Sequence, residues 1–281
     1  MPGGGSSIFT DPDRYLACLP LMAEFAFVDA SRFIARLTWV ELPHMGVFRM
    51  RETAPRVGYI GLPSNMVFVT FPVRGASPLI VGGKELHHGE LVLHARGERF
   101  HQRMTAAGQW GGISLQSLSF ESGARTLTGQ AINLPEFGKV VRPGVQDRKR
   151  LLRLHAEACR IAETAVSNLG QPEVARALEQ DLLWVLVTCL TESEVRGEEP
   201  GIREAAEALL RCEEVLAATT GSSTLDDVCR FLGMTERELG AFSSEILGMS
   251  PDRYFRLKRI APAKEPGPTV PTGNVGRARE Q

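Results

Sequence analysis

Three helix starts fall between Thr224 and Pro251, so close together that this part of the chain can fold only as short helices sharing one small core. Thr224 with Asp227, and Thr235 with Glu238, have the form in which a hydroxyl caps orphan N–H groups while an acid three residues on reaches back. Ser250-Pro251 supplies the third start, a capping hydroxyl followed by a ring already set for helical φ. Between the first two helices, Gly233 can take the positive φ that a sharp turn requires. Leu225, Val228 and Leu232, then Leu239, Phe242 and Ile246, recur at helical spacing, so each short helix has one apolar stripe to bury.

These residues carry a resemblance. Gly-Met-Thr-Glu-Arg-Glu-Leu at Gly233 to Leu239, followed by Leu-Gly-Met-Ser-Pro-x-x-Tyr-x-x-x-x-Arg-Ile at Leu247 to Ile260, resembles the first helix-turn-helix of the AraC/XylS transcription regulators. Ile202 to Ala218 is similar to the helix that precedes that motif. The resemblance implies a recognition helix beginning at Thr235, with Thr235, Glu236, Arg237, Ala241 and Ser244 nearest the bases of a major groove. Phosphate contacts fall to Arg253, Arg256, Lys258 and Arg259. It further implies promoter DNA as partner, a small-molecule effector for an N-terminal sensor domain, and a homodimer.

The departures from the family pattern are specific. The apolar residue, usually Phe, expected eight positions into the recognition helix is Ser243 here, so Phe242 is expected to fill the core through a rotated helix. Family members carry a second motif joined by a long helix. Here Ala261 onward is rich in Pro and Gly without apolar periodicity, so residues 261–281 are expected to be a disordered tail. We expect the chain to be truncated after the first motif, a coding frame having been lost or shifted just past Ile260. Residues 202–260 hold eight Lys/Arg against ten Asp/Glu, a balance that disfavours tight binding of phosphates.

The chain of 281 residues, 43% hydrophobic, can bury one sizeable core and a smaller one. A net charge of −1 excludes the strongly basic nucleic-acid binders. Cys18, Cys159, Cys189, Cys212 and Cys229 show no metal-ligand spacing and read as reduced core thiols, which fits a cytoplasmic protein. No export signal is legible at the N-terminus, and the apolar run Leu182 to Leu190 is too short to span a bilayer, so no membrane association is expected.

The fold class expected is α+β, a cupin-like β-barrel or sandwich followed by an all-α region containing the helix-turn-helix. Short alternating runs at residues 33–42, 46–51, 65–71, 78–81, 90–94, 99–103 and 112–116 are separated by Gly, Pro, Ser and Asn, the pattern of a small barrel or sandwich. The expected divisions are an N-terminal arm at 1–30, a sensor domain at 31–135, a helical dimerisation segment at 145–195, and the DNA-binding region at 201–260. In 172–192 the apolar stripe of Val174, Leu178, Leu182, Val185, Leu186 and Cys189 is widened by Leu183, Trp184, Val187 and Leu190. A face so broad must be buried, either on this chain's own barrel or against a second subunit, and the family resemblance favours the subunit.

His87, His88, His94 and His101 lack the spacing by which cupins hold a metal, and are expected to be turn or surface residues. No cofactor and no catalytic residue are expected, since nucleophile-elbow, phosphate-loop and paired-carboxylate patterns are missing. The function expected is an AraC/XylS-type transcription regulator. The alternative is a ligand-binding or dimer-forming protein that has lost DNA binding and inhibits an intact paralogue.

Overall fold

The computed structural model describes residues 2–19, 21–73, 77–129, 132–197, 201–219 and 224–260, with Arg259 and Ile260 described by backbone alone. The tail expected at 261–281 lies outside the described residues. The first half comprises β1 (Gly3–Phe9), α1 (Pro12–Ala17), β2 (Met22–Phe27), β3 (Ala35–Glu41), β4 (Met45–Glu52), β5 (Arg56–Gly61) and β6 (Met66–Pro72). Next come β7 (Leu79–Val81), β8 (Lys84–Leu86), β9 (Leu91–Leu93), β10 (Arg99–Met104), β11 (Gly108–Gln116), α2 (Ser117–Thr128) and β12 (Lys139–Arg142). Then α3 (Val145–Thr164), a 3-10 turn (Val166–Gly170), α4 (Pro172–Thr191), β13 (Glu194–Val195), α5 (Ile202–Ala218), α6 (Leu225–Leu232), α7 (Glu236–Ile246) and α8 (Pro251–Ile260) complete the order.

The strands form two antiparallel sheets, one ordered β1-β3-β4-β11-β6-β9-β12-β13 and the other β2-β5-β10-β7-β8. They face one another as a cupin-like double sheet. Side chains alternate across each strand, so both faces of the central strands find cores. In β6, Phe68 enters the core between the sheets, while Val67, Val69 and Phe71 enter a second core under α2, α3 and α4. In β11, Trp110 points inward, and Ile113 and Leu115 outward. Burial on both faces explains why β6 reads as an almost continuous apolar run.

Residues 1–30, expected as a separate arm, are instead built into the barrel. β1 pairs with β3 from Gly3↔Glu41 to Phe9↔Ala35, and β2 pairs with β5. Tyr15 of α1 is buried between the sheets against Phe9, Phe25 and Phe33. At Gly4 a Cβ would lie 2.7 Å from the Trp39 carbonyl oxygen and 2.9 Å from Leu169, so the glycine lets β1 pass beneath the 3-10 turn. The sheet also extends past residue 135 through β12 and β13.

The inter-sheet core is aromatic but holds a buried ion pair. Arg56 is fully buried; its Nε donates to Glu52 Oε2 at 2.6 Å, its Nη2 donates to Gln102 Oε1 at 2.7 Å, and its guanidinium lies 3.8 Å from the Phe25 ring centroid. Tyr15 donates its hydroxyl to Glu52 Oε1 at 2.6 Å.

α3 and α4 fall where the helical spacing placed them, on the outer face of the larger sheet. Leu182, Val185, Leu186, Val187 and Cys189 of α4 are buried within this chain, so most of the broad apolar face is covered by its own barrel and helices. Trp184 remains 40% exposed beneath the Arg150 guanidinium, beside a groove lined by Leu127, Thr188 and Thr191. No helix among the described residues is long and apolar enough to cross a membrane.

Candidate nucleic-acid interface

The helical bundle forms as its caps dictate. Both capping boxes are closed: Thr224 Oγ1 accepts from the Asp227 backbone N–H at 3.2 Å, Thr235 Oγ1 accepts from that of Glu238 at 3.2 Å, and each acid reaches back to its cap's N–H. Gly233 takes φ 68°, the left-handed conformation that ends α6 and turns the chain into α7. Val228, Cys229, Leu239, Ile246 and Leu247 bury against α5 through Leu209, Cys212, Val215 and Leu216.

Ser243 takes the slot where an aromatic residue was expected. It is fully buried, and its hydroxyl donates to the Met249 carbonyl at 2.7 Å, which satisfies a polar group the core would otherwise penalise. Phe242 sits at the edge of the core, half-buried, so the expected exchange of Phe242 for the missing aromatic does not occur.

The outward face of α7 is open. Thr235, Glu236, Arg237, Ala241 and Ser244 are all exposed. Arg253 and Arg256 of α8 are exposed as well, three residues apart on one face. Lys258 is not with them. It lies on the other face of α8, one turn after Tyr254, with its Nζ on Glu213 Oε2 at 2.7 Å and also on Glu24. The side chain of Arg259 is outside the described set.

The bundle packs on the outer face of the smaller sheet. Glu24, Tyr59 and His101 stand side by side across β2, β5 and β10, paired in register. Facing them is Glu213 of α5, only 3% exposed, whose Oε1 accepts from His101 Nε2 at 2.9 Å and from the Tyr254 hydroxyl. Burial pushes the Glu213 carboxyl up, but its bond from His101 and the charge of Lys258 outweigh this and hold it at about 2. Burial and the neighbouring carboxylate raise Tyr254 well above the ordinary phenol value. Beside this polar row, Ala26 and Val57 join the bundle core, Gly83 meets Ile246 and Ile202, and Arg103 lies over Gly248.

His94 and His101, expected at turns or the surface, are buried: His94 bonds Thr70 Oγ1 at 2.8 Å and Glu98 at 3.1 Å. His94 is satisfied by an acid only four residues along the chain, whereas His101 is satisfied by Glu213, more than a hundred residues away, a pairing that spacing does not reveal. His87 and His88 do sit in an exposed turn. Among the described residues no group of three or more His, Cys, Asp or Glu could hold a metal ion.

No protein-family model matches the sequence, and no curated protein matches it. Among solved structures, the AraC-like transcriptional activator CuxR is similar over 92% of this chain and 93% of its own, at 14% identity and TM-score 0.44. ToxT from Vibrio cholerae is similar over 78% of this chain and 81% of its own, at 14% identity and TM-score 0.32. The Clostridium difficile EutQ protein is similar over 33% of this chain and 77% of its own, at 14% identity and TM-score 0.25. At these values the likeness is loose.

Proposed function

We propose that this protein is a DNA-binding transcription regulator of AraC/XylS type and not an enzyme, its barrel acting as sensor for the helical bundle. The supporting observation is the doubly capped α6–α7 pair, whose second helix leaves its outward face uncovered while Arg253 and Arg256 point to solvent. α7 enters a major groove, Arg237 reads a base edge, and the two arginines of α8 hold phosphates.

Binding by a single chain is expected to be weak. Three exposed cations, Arg237, Arg253 and Arg256, correspond to a salt slope near −3 per chain, and affinity near the non-specific range of about 10⁻⁴ to 10⁻⁶ M. Arg237→Ala should relax sequence preference by roughly 1–3 kcal/mol at one base pair, and Arg256→Ala should weaken all sequences alike. A shift assay on the upstream DNA at several salt concentrations measures both. No retardation at the lowest salt would sink the reading, and nanomolar binding near physiological salt would overturn the expected weakness.

The same assay decides the alternative, a ligand-binding or dimer-forming protein without DNA binding, which the acidic balance of residues 202–260 favours. For a small-molecule effector we assign the barrel interior, where the Arg56–Glu52–Tyr15 cluster and the unpartnered Nε2 of Gln102 are among the polar groups it would meet. We also assign a homodimer to the α2–α4 face, because Trp184 and Leu118 stay exposed there, at 40% and 82%. Sedimentation at micromolar concentration should show a dimer; a monomer would remove this element.

A further inference from the structure

The outer face of the larger sheet has one end that α3 and α4 leave open. Side chains on one face of a strand recur every second residue, so Arg36, Thr38 and Val40 of β3 share this face, as do Arg51, Arg49 and Val47 of β4 and Gln109, Gly111 and Ile113 of β11. The register sets them in rows. Val40, Val47 and Ile113 lie in the outer core, and α3 crosses the next row, with its His155 ring against Gly111 and its Glu163 on Thr38 and Arg49. The last row, Ile8, Arg36, Arg51 and Gln109, stays uncovered: Ile8 and both arginines are exposed.

In that row two like charges stand directly opposite each other. Arg36 pairs in register with Arg51, which sets their Cβ atoms about 4.5–5.5 Å apart, and like charges so placed oppose the pairing of the strands that carry them. Neither forms an ion pair with an acid among the described residues. Their neighbours across the sheet are Ile8 and Gln109, which carry no charge. The acid at the border of the row, Glu163, is committed elsewhere: its Oε1 accepts from Arg49 Nη2 at 2.7 Å and from the Thr38 hydroxyl at 2.8 Å. Two guanidiniums are thus held side by side at a cost that nothing within the chain offsets, and such a break of a local rule marks a place where the compensation comes from outside.

We propose that the Arg36–Arg51 pair is a binding site for a small phosphate ester, both guanidiniums gripping its phosphate and Ile8 receiving its apolar body. A phosphate monoester carries about −1.5 to −2 charges and three strong acceptor oxygens, enough to engage two planar forks at once. A carboxylate, with one charge and two oxygens, satisfies one fork and leaves the other uncompensated. Ile8 is 60% exposed at one end of the row, beside Arg36, and Gln109 offers its amide at the other, beside Arg51. A duplex needs cations along successive phosphates, whereas this row supplies a single pair bordered by Glu163, so a compact ligand suits it better. The site lies apart from the barrel interior and from α7 and α8, and it does not depend on the DNA-binding reading above.

The test titrates the full chain calorimetrically with phenyl phosphate, inorganic phosphate and benzoate at constant ionic strength. Phenyl phosphate should saturate one site per chain and bind more tightly than inorganic phosphate, with benzoate the weakest. Arg36→Gln or Arg51→Gln should weaken phenyl phosphate roughly tenfold or more, while Arg125→Gln/Arg211→Gln, at exposed arginines of α2 and α5, should leave it unchanged. Arg36→Lys/Arg51→Lys keeps the charge but loses the forks, and should bind several-fold more weakly than wild type. Ile8→Ser should erase the preference for phenyl phosphate over inorganic phosphate. Without ligand, Arg51→Gln should melt no lower than wild type, since it relieves the repulsion. A lower melting point would show that the pair is already satisfied within the chain, and would overturn the site. So would the absence of saturable phosphate binding, an equal loss in the Arg125→Gln/Arg211→Gln control, or full binding by the double lysine variant. Equal affinity for the two phosphates would assign the row to the free ion and overturn the ester. Loss of random duplex DNA on Arg36→Gln/Arg51→Gln, with neither phosphate bound by wild type, would make the row a nucleic-acid contact instead. If the chain retards no DNA but binds phenyl phosphate through these arginines, the regulator reading fails and this site stands.

Discussion

Acidifying the protein from pH 6.5 to about 4 is expected to remove about 3 kcal/mol of folding stability through one side chain, His155 of α3. The ring is fully buried, its Nε2 donates to the Phe48 carbonyl at 3.0 Å, and its Nδ1 has no partner. Burial pushes its pKa from 6.5 down to about 4. Between those values the unfolded chain binds a proton that the folded chain refuses, so this contribution is complete above the unfolded value and disappears as pH falls through the folded one. Glu213 adds a second loss of the same sign lower down, from 4.5 to about 2, as protonation ends its bonds to His101 and Lys258. Urea unfolding across the window, with His155→Gln alongside, measures the effect. The variant should be less stable at neutral pH but nearly flat between the two His155 values. A variant with the slope of wild type would show that other groups carry the acid response.

Arg56→Met is expected to cost about 3–5 kcal/mol, the largest effect of any single change considered, because it strands Glu52 as an uncompensated charge between the sheets. Glu52→Gln added to it should recover more than half. The neutral amide still accepts from Tyr15, and Met occupies the space over the Phe25 ring. Denaturant midpoints of the two variants check this. A single variant within 1 kcal/mol of wild type would mean that water reaches the pair, and that the interior is not the dry core its exposure implies.

The sequence reveals elements whose local chemistry is self-sufficient. The caps at Thr224, Thr235 and Ser250, and the turn at Gly233, were legible because a hydroxyl, an acid and a glycine at fixed offsets serve backbone groups within a few residues. The seven strands with alternating or apolar runs, and α3 and α4, were legible from periodicity. β1 was not: Gly3-Gly-Gly-Ser-Ser carries no apolar pattern, since Gly4 is there for close approach to Trp39 and Leu169, and Gly5 for the Trp39 ring. β5 was also missed, because its inward Arg56 is polar and its outward Val57 and Tyr59 are covered by helices far along the chain.

The candidate interface divides in the same way. Arg237, Arg253 and Arg256 lie on open faces, as surface charges at helical spacing should. Lys258 does not, because its placement depends on Glu24 and Glu213. One signal was present in α5, where Glu213 interrupts the buried stripe of Leu209, Cys212 and Leu216. An acid in such a position needs a buried partner, and His101 was among the residues available.

The contact between Glu24 and Lys258 spans 234 positions of the chain, so its formation must come late. Contacts of such separation carry a large loop-closure cost unless the intervening segments are already compact. The barrel can assemble during synthesis as its strands emerge, and the bundle closes through contacts local to α5–α8. Only then do the two pieces have surfaces to join. Every newly made molecule thus passes through an undocked stage before its helices settle on the β2-β5-β10 wall, and the lysine of α8 is free of Glu24 at birth and bound to it only at the last step of maturation.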